Sequence, residues 1–148
     1  MKIIIDAMSG DKAPEEIVKG AVMARRELGV DVVLVGRQEV VNACLEAEGC
    51  TDIEVVDARD VITMEDDPST ATRRKKDASM TVALNMLRDG SGDAVVSAGS
   101  TGALLTGATL IVKRINGIRR AALAPVLPNG GKGVVLIDSG ANVDCTPE

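Results

Sequence analysis

Apolar positions along the chain follow two spacings, short consecutive runs and stripes recurring every three or four residues, and their order predicts its elements. Ile3, Ile4 and Ile5 are consecutive, as in a strand covered on both faces, so Lys2 to Asp6 reads as a first strand. After the loop Ala7 to Ala13, Pro14 suits a first helical position and Glu15 and Glu16 complement a helix N-terminus. Ile17, Val18, Ala21, Val22, Ala24 and Leu28 supply that helix with a buried stripe, and Gly29 ends it. Val30 to Val35 predicts a second strand, followed after Gly36 and Arg37 by a helix bearing Val40, Val41, Cys44 and Leu45. Ile53 to Val56 predicts a third strand, with room for one more short strand near Val61 to Met64. Asp67 is placed to cap a helix that starts at Pro68, the basic run Arg73 to Lys76 follows, and Met80, Val82, Ala83, Met86 and Leu87 continue at helical spacing to Asp89-Gly90.

The switch of spacing is sharpest between Asp93 and Ile115. Ala94 to Val96 suits a buried strand, while Leu104, Leu105, Ala108, Ile111, Val112 and Ile115 recur as on a helix. Ser97, Gly99, Ser100, Thr101 and Gly102 lie between, small residues that let a backbone approach a ligand and leave the first helical amides facing outward. Such a turn favours an anion, phosphate above all. It is equally an ordinary strand-to-helix turn with Ser100 or Thr101 as N-cap, and spacing alone leaves both readings open. Ala121 to Val126 and Gly133 to Ile137 predict two more strands, the first confined to an edge by Pro125 and Pro128.

Alternating strands and helices imply an α/β fold, a three-layer doubly wound and mostly parallel sheet, in a single domain over residues 1–148. Ligands of such sheets bind beyond the carboxyl ends of the strands. Three loops of similar composition are expected to meet at that rim: Asp6 to Asp11, Ser97 to Gly102, and Asp138 to Asp144.

Composition narrows the chemistry. With 45% hydrophobic residues and no Phe, Trp, Tyr or His, the core must be built from Val, Ile, Leu, Met and Ala. Without histidine there is no Ser-His or Cys-His pair and no imidazole metal ligand in this chain. Without aromatics there is no stacking platform for single-stranded nucleic acid, and a net charge of -5 argues against a general polyanion binder. Cys44, Cys50 and Cys145 show no C-x-x-C spacing and cannot all pair, which fits a reducing cytoplasm. Cys44 sits on an apolar stripe, as a buried structural thiol does. The first apolar run is too short for a signal peptide, and none reaches transmembrane length. Nucleotide motifs are missing too: the first loop lacks G-x-G-x-x-G, Gly36 and Arg37 stand where a ribose-binding acid is wanted, and no G-x-x-x-x-G-K-[ST] occurs.

Several segments, IDAMSGDKAPEEIVKGA, VLVG, DDPSTATRRKKDASM, DAVVSAGSTGAL and LIDSGANVDCTPE, together resemble the N-terminal half of the bacterial phosphate acyltransferase family called PlsX. The resemblance implies an isocitrate/isopropylmalate dehydrogenase-like fold, incomplete in this chain. It also implies transfer of a fatty acyl group from acyl carrier protein to inorganic phosphate, giving acyl phosphate for phospholipid synthesis. The implied enzyme is a cytoplasmic homodimer with peripheral contact at the inner face of the cell membrane and needs no cofactor. Ser9 and Lys12 stand where the family usually shows Gly and His, and Ser100 where Asn is usual. A phosphometabolite- or nucleotide-binding module without acyl transfer, and a catalytically silent fragment, are the alternatives.

The residues suit that reaction. Phosphate is already an anionic nucleophile and a thiolate leaves readily, so neither strong base nor strong acid is needed. Positioning and oxyanion donors are needed, and amides near Gly99 to Gly102 supply them. Ser100, Thr101 and Asn142 are the candidates for direct contact with the reacting groups, Asn142 because it donates and accepts without charge. Asp6, Gly10, Asp11, Ser97, Gly99, Gly102, Asp138 and Gly140 are candidates for shaping the phosphate and substrate site. Because carboxylates repel phosphate, Asp6, Asp11, Asp138 and Asp144 are read as loop braces ahead of direct catalysts or ligands of a divalent cation. Arg73, Arg74, Lys75 and Lys76 form the densest basic area, either a solvated helix face or a docking patch for an acidic carrier protein. Cys145 has no base partner and reads as a small packed thiol.

Overall fold

A computed structural model describes residues 1–144. The chain forms two compact units, Met1–Val112 and Lys113–Glu148, and each is described by itself. In the first unit the order is β1 (Lys2–Asp6), α1 (Glu15–Leu28), β2 (Asp31–Gly36), α2 (Gln38–Ala47), β3 (Glu54–Asp57), α3 (Ala71–Arg74), α4 (Ser79–Arg88), β4 (Ala94–Val96) and α5 (Thr101–Gly107). A π-helical turn, Ala108–Val112, prolongs α5.

The four strands form a parallel sheet in the order β3-β2-β1-β4. Consecutive isoleucines in β1 are explained by the register, which pairs Ile4 with Val33 and Ile5 with Leu34. Ile5, Val32 and Leu34 pack with Val18, Ala21 and Val22 of α1 and with Val41 and Leu45 of α2. The residues between them, Ile4, Val33 and Val35, pack on the other face with Ala83 of α4. Strand side chains alternate between faces, so a run apolar at every position needs helices on both sides. A further core joins α4 to α5 through Met80, Leu84 and Ala103, with Ile62 beneath it.

Several expected boundaries move. Leu28 is exposed although it falls on the predicted stripe, because the last turn of α1 runs into solvent and Arg25, within that turn, already pairs with Asp31 and Asp52. Val40 is likewise exposed, leaving Val41 and Leu45 to anchor α2. No strand forms at Val61 to Met64. Asp60 makes a single bridge to Ala78, and the Val61 carbonyl accepts instead from Lys75 Nζ at 2.8 Å. The helix expected from Pro68 begins at Ala71, because the Asp67 carboxylate folds back on Ser69 N–H, Ser69 Oγ and Thr70 Oγ1 and holds residues 67–70 as a turn. The helix expected to reach Ile115 ends at Val112.

In the second unit the expected strands Ala121 to Val126 and Gly133 to Ile137 shrink to Val126–Leu127 (β5) and Val134–Val135 (β6), paired antiparallel. Pro125 and Pro128 bracket β5 and lack the N–H groups a longer ladder needs. Asn129 Oδ1 accepts from Gly131 and Gly133 N–H and closes the intervening turn. Among the described residues no helix is long and apolar enough to cross a membrane.

Candidate functional site

In the order β3-β2-β1-β4 the connection after β1 leads to one side and the chain later returns to β4 on the other, so the loops following β1 and β4 diverge. A crevice at the carboxyl ends of those two strands follows from the topology. The structure has a cleft of about 320 Å³ there, lined by Met8 to Asp11 after β1, Ala98 to Ser100 after β4, and Val61 to Met64. The loops after β1 and β4, two of the three expected at this rim, both line the cleft, and the third, Asp138 to Asp144, belongs to the second unit.

The loops after β1 and β4 abut at glycines. Gly10 has φ +123°, and a Cβ there would lie 3.2 Å from Ala98 Cβ. A Cβ on Gly99 would lie 2.7 Å from Ser9 Cβ and 3.1 Å from Met80 Cε, closer than side chains pack. Beneath this contact Asp6 is fully buried, its Oδ2 accepting from Ser97 Oγ at 2.8 Å and its Oδ1 from Met8 N–H at 3.3 Å. Ser97 Oγ in turn accepts from Gly99 N–H at 3.2 Å, so one carboxylate ties both loops together. Ser100 caps α5, its Oγ accepting from Ala103 N–H at 3.3 Å. Ser9 is 2% exposed, and its Oγ has no hydrogen-bond partner among the described residues. Burying a hydroxyl unpaired costs roughly 1–3 kcal/mol, a cost that a polar ligand in the cleft relieves. The hydroxyls of Ser79 and Thr81 are also buried without partners, and nothing in the structure explains them.

The third wall depends on Lys75. Its Nζ donates to Asp66 Oδ2 at 2.7 Å and to the Val61 carbonyl, and Asp66 Oδ2 also accepts from Thr63 N–H and Thr63 Oγ1. The Lys75 hydrogen bond is the main influence holding the Asp66 carboxyl below its ordinary range, and Asp66 in turn holds Lys75 above its own. Lys75 is therefore a buttress of the cleft, while Arg73, Arg74 and Lys76 are exposed; α3 ends at Arg74, so the basic run is not one helix face. A lowered carboxylate pKa stabilises above the unfolded value and a raised lysine pKa below it. We expect Lys75→Met to lower the urea midpoint at pH 7, with the difference from wild type narrowing below about pH 4 and again above about pH 10. A difference constant from pH 3 to 11 would rule out the ion pair as its source.

The lining contains one carboxylate, Asp11, and no cationic side chain among the described residues, so an anion there would be held by main-chain and hydroxyl donors. Thr101 and Gly102 are not among the lining residues, and a Cβ on Gly102 would meet Pro68 at 3.0 Å, which gives this glycine a packing role. Asp138, Gly140 and Asn142 belong to the second unit. There Asn142 Nδ2 donates to Asp138 Oδ2 at 2.7 Å and to the Ala121 carbonyl at 3.0 Å, and Asp138 Oδ1 accepts from Leu123 and Ala141 N–H. Desolvation is the largest influence on Asp138 and pushes its carboxyl up, but these hydrogen bonds together outweigh it and leave the group below its ordinary range. Burial pushes the Cys44 and Cys50 thiols up, away from the reactive thiolate. Cys145 lies outside the described residues.

Residues 61–64 and the buried Ser9 hydroxyl are the parts of the cleft that sequence reasoning did not assign. A loop without periodicity carries no signal of what it faces.

The sequence profile of a family described as fatty acid synthesis protein matches residues 1–148. The chain belongs to that family. The phosphate acyltransferase of Clostridium kluyveri is 46% identical over 149 residues, covering 99% of this chain and 45% of that protein. The phosphate acyltransferase of Clostridium acetobutylicum is 46% identical, covering 100% and 46% respectively, and that of Pelotomaculum thermopropionicum 48% identical, covering 99% and 43%. The chain thus spans less than half the length of the curated relatives it matches.

Proposed function

We propose that the protein carrying this chain is a phosphate acyltransferase that moves a fatty acyl group from acyl carrier protein to inorganic phosphate. The observation that carries the reading is 46% identity, along 99% of the chain, to a protein of that name. The cleft between the loops after β1 and β4 supports it as the place where phosphate is held. A phosphate oxygen attacks the thioester carbonyl, the C–S bond breaks, and the carrier thiolate leaves and takes a proton from solvent. Ser9 Oγ and the N–H of Ser100, from residues that line the cleft, orient the phosphate and the developing oxyanion, with Asp6 and Ser97 as braces. No histidine is required for this sequence of events. Arg73, Arg74 and Lys76 offer exposed positive charge to an acidic carrier. Asp11 completes the cleft's polar lining in this reading, in a cytoplasmic homodimer that touches the membrane peripherally.

The test is to incubate the intact protein with acylated carrier protein and phosphate, trap acyl phosphate with hydroxylamine, and titrate released thiol. Equal amounts of hydroxamate and thiol, both dependent on phosphate, are expected. Thiol release independent of phosphate would mark a thioester hydrolase instead, and no release at all would remove the acyl-transfer assignment.

A further inference from the structure

The cleft has two chemically different sides. Ser9, Gly10, Gly99 and Ser100 present hydroxyl and main-chain groups, whereas Met8, Val61, Ile62 and Met64 present hydrocarbon and thioether. We propose that this second wall, Met8, Val61, Ile62 and Met64, is the subsite for the alkyl chain of the acyl group. The inference rests on the acyl-transfer reading and adds to it where the tail lies.

Exposure along the loop runs outward. Ile62 is 2% exposed and rooted in the core shared by α4 and α5, Val61 is half-buried, and Met64 is 75% exposed. Lys75 and Asp66 hold the loop in this shape through the Val61 carbonyl and Thr63, so the apolar track is braced. Nothing in the packing of the first unit requires a large apolar side chain to stand exposed beside a polar cleft. An acyl thioester does: its carbonyl is bonded directly to a hydrocarbon chain, so with the reacting head at Ser9 and Gly99 the first methylenes must lie on whatever wall adjoins them. A substrate with a polar tail would instead leave hydroxyls unpaired against isoleucine and methionine. Flexible thioethers at Met8 and Met64 accommodate chains of varied conformation. At about 320 Å³ the cleft is near the lower end of ligand pockets, so it encloses the head and the first part of the chain, the remainder passing over Met64.

The test compares 16-carbon and 4-carbon acyl groups on carrier protein, with phosphate, in the intact protein. Met64→Glu is expected to lower the ratio of their kcat/KM values about tenfold, equivalent to about 1.4 kcal/mol, the burial of roughly two methylene groups. Met64→Leu should keep the wild-type ratio, as should Met23→Glu, an exposed methionine on α1 away from the cleft lining. Because Met64 is mostly exposed, the glutamate is tolerated by the fold. An unchanged ratio in Met64→Glu, or an equal loss for both chain lengths, overturns the subsite while leaving acyl transfer intact. A wild-type protein that forms acyl phosphate from neither chain overturns the acyl-transfer reading, and the subsite with it.

Discussion

Gly99→Val is expected to lower the rate of acyl phosphate formation by at least a hundredfold. The added Cβ alone would stand 2.7 Å from Ser9 Cβ and 3.1 Å from Met80 Cε. Met80 belongs to the core under α4, so the strain must go into the loops, parting Ser9 from Ser100 at the point where the cleft's polar side is built. Overpacking of this kind costs about 1–3 kcal/mol of stability, and a displacement of about 1 Å at a reacting centre can cost 10²-fold in rate. Gly20→Ala is the matched control. Nothing lies within 4 Å of a Cβ built there, in the middle of α1, so the same loss of a glycine should stabilise by roughly 0.5–1 kcal/mol. Thermal unfolding and turnover of both variants decide the matter. A Gly99→Val protein with wild-type turnover would mean that the chemistry takes place elsewhere.

The second large effect is expected at Asp6. Both carboxylate oxygens are occupied, by Ser97 Oγ and by Met8 N–H, and the residue is fully buried. Asp6→Ala leaves two donors without acceptors, each costing about 1–3 kcal/mol when buried. A total near ~3 kcal/mol corresponds to a fall in Tm of roughly 6–12 °C, at about 2–4 °C per kcal/mol for a chain of this size or somewhat larger. Asp6→Asn keeps one acceptor oxygen but turns an NH2 group towards the other donor, so it should fall between alanine and wild type. The kinetic signature separates brace from base. Slackened loops raise the KM for phosphate, whereas loss of a general base lowers kcat by about 10²–10⁴ with little change in KM. We expect the former, because each oxygen already accepts a hydrogen bond from one of the loops and Asp6 is not among the residues that line the cleft. A kcat loss with unchanged KM would make Asp6 a participant in proton transfer.

The strands and the helices that sandwich them could be read directly from residue order, because each announces itself within a few residues. Three isoleucines in a row require cover on both faces, and Val18, Ala21 and Val22 mark the side of α1 that provides it. The meeting of the loops after β1 and β4 was also legible, since it follows from alternating strands and helices together with the small residues Gly10 and Gly99. Less could be read where the deciding contact lies far along the chain. Pro68 carries a sound local signal for a helix start, yet Asp67 turns back on Ser69 and Thr70 and the helix begins later. Lys75 reads as one of four clustered cations, but it is drawn inward by Asp66 and the carbonyl of Val61.

Residue order by itself therefore determined that β1 to β4 are strands, that β1 and β2 are buried on both faces, and that glycine-bearing loops follow β1 and β4, because hydrophobic spacing and glycine's freedom act over a few bonds. The burial expected of Ala94 to Val96 does not hold, since Val96 at the end of β4 is exposed. Only the tertiary structure decided which third segment closes the cleft, that Ser9 is left with an unanswered hydroxyl, and that Lys75 supports a wall. Each of these depends on which groups desolvate one another after the sheet has assembled, and that is a property of distance in space rather than of position along the chain.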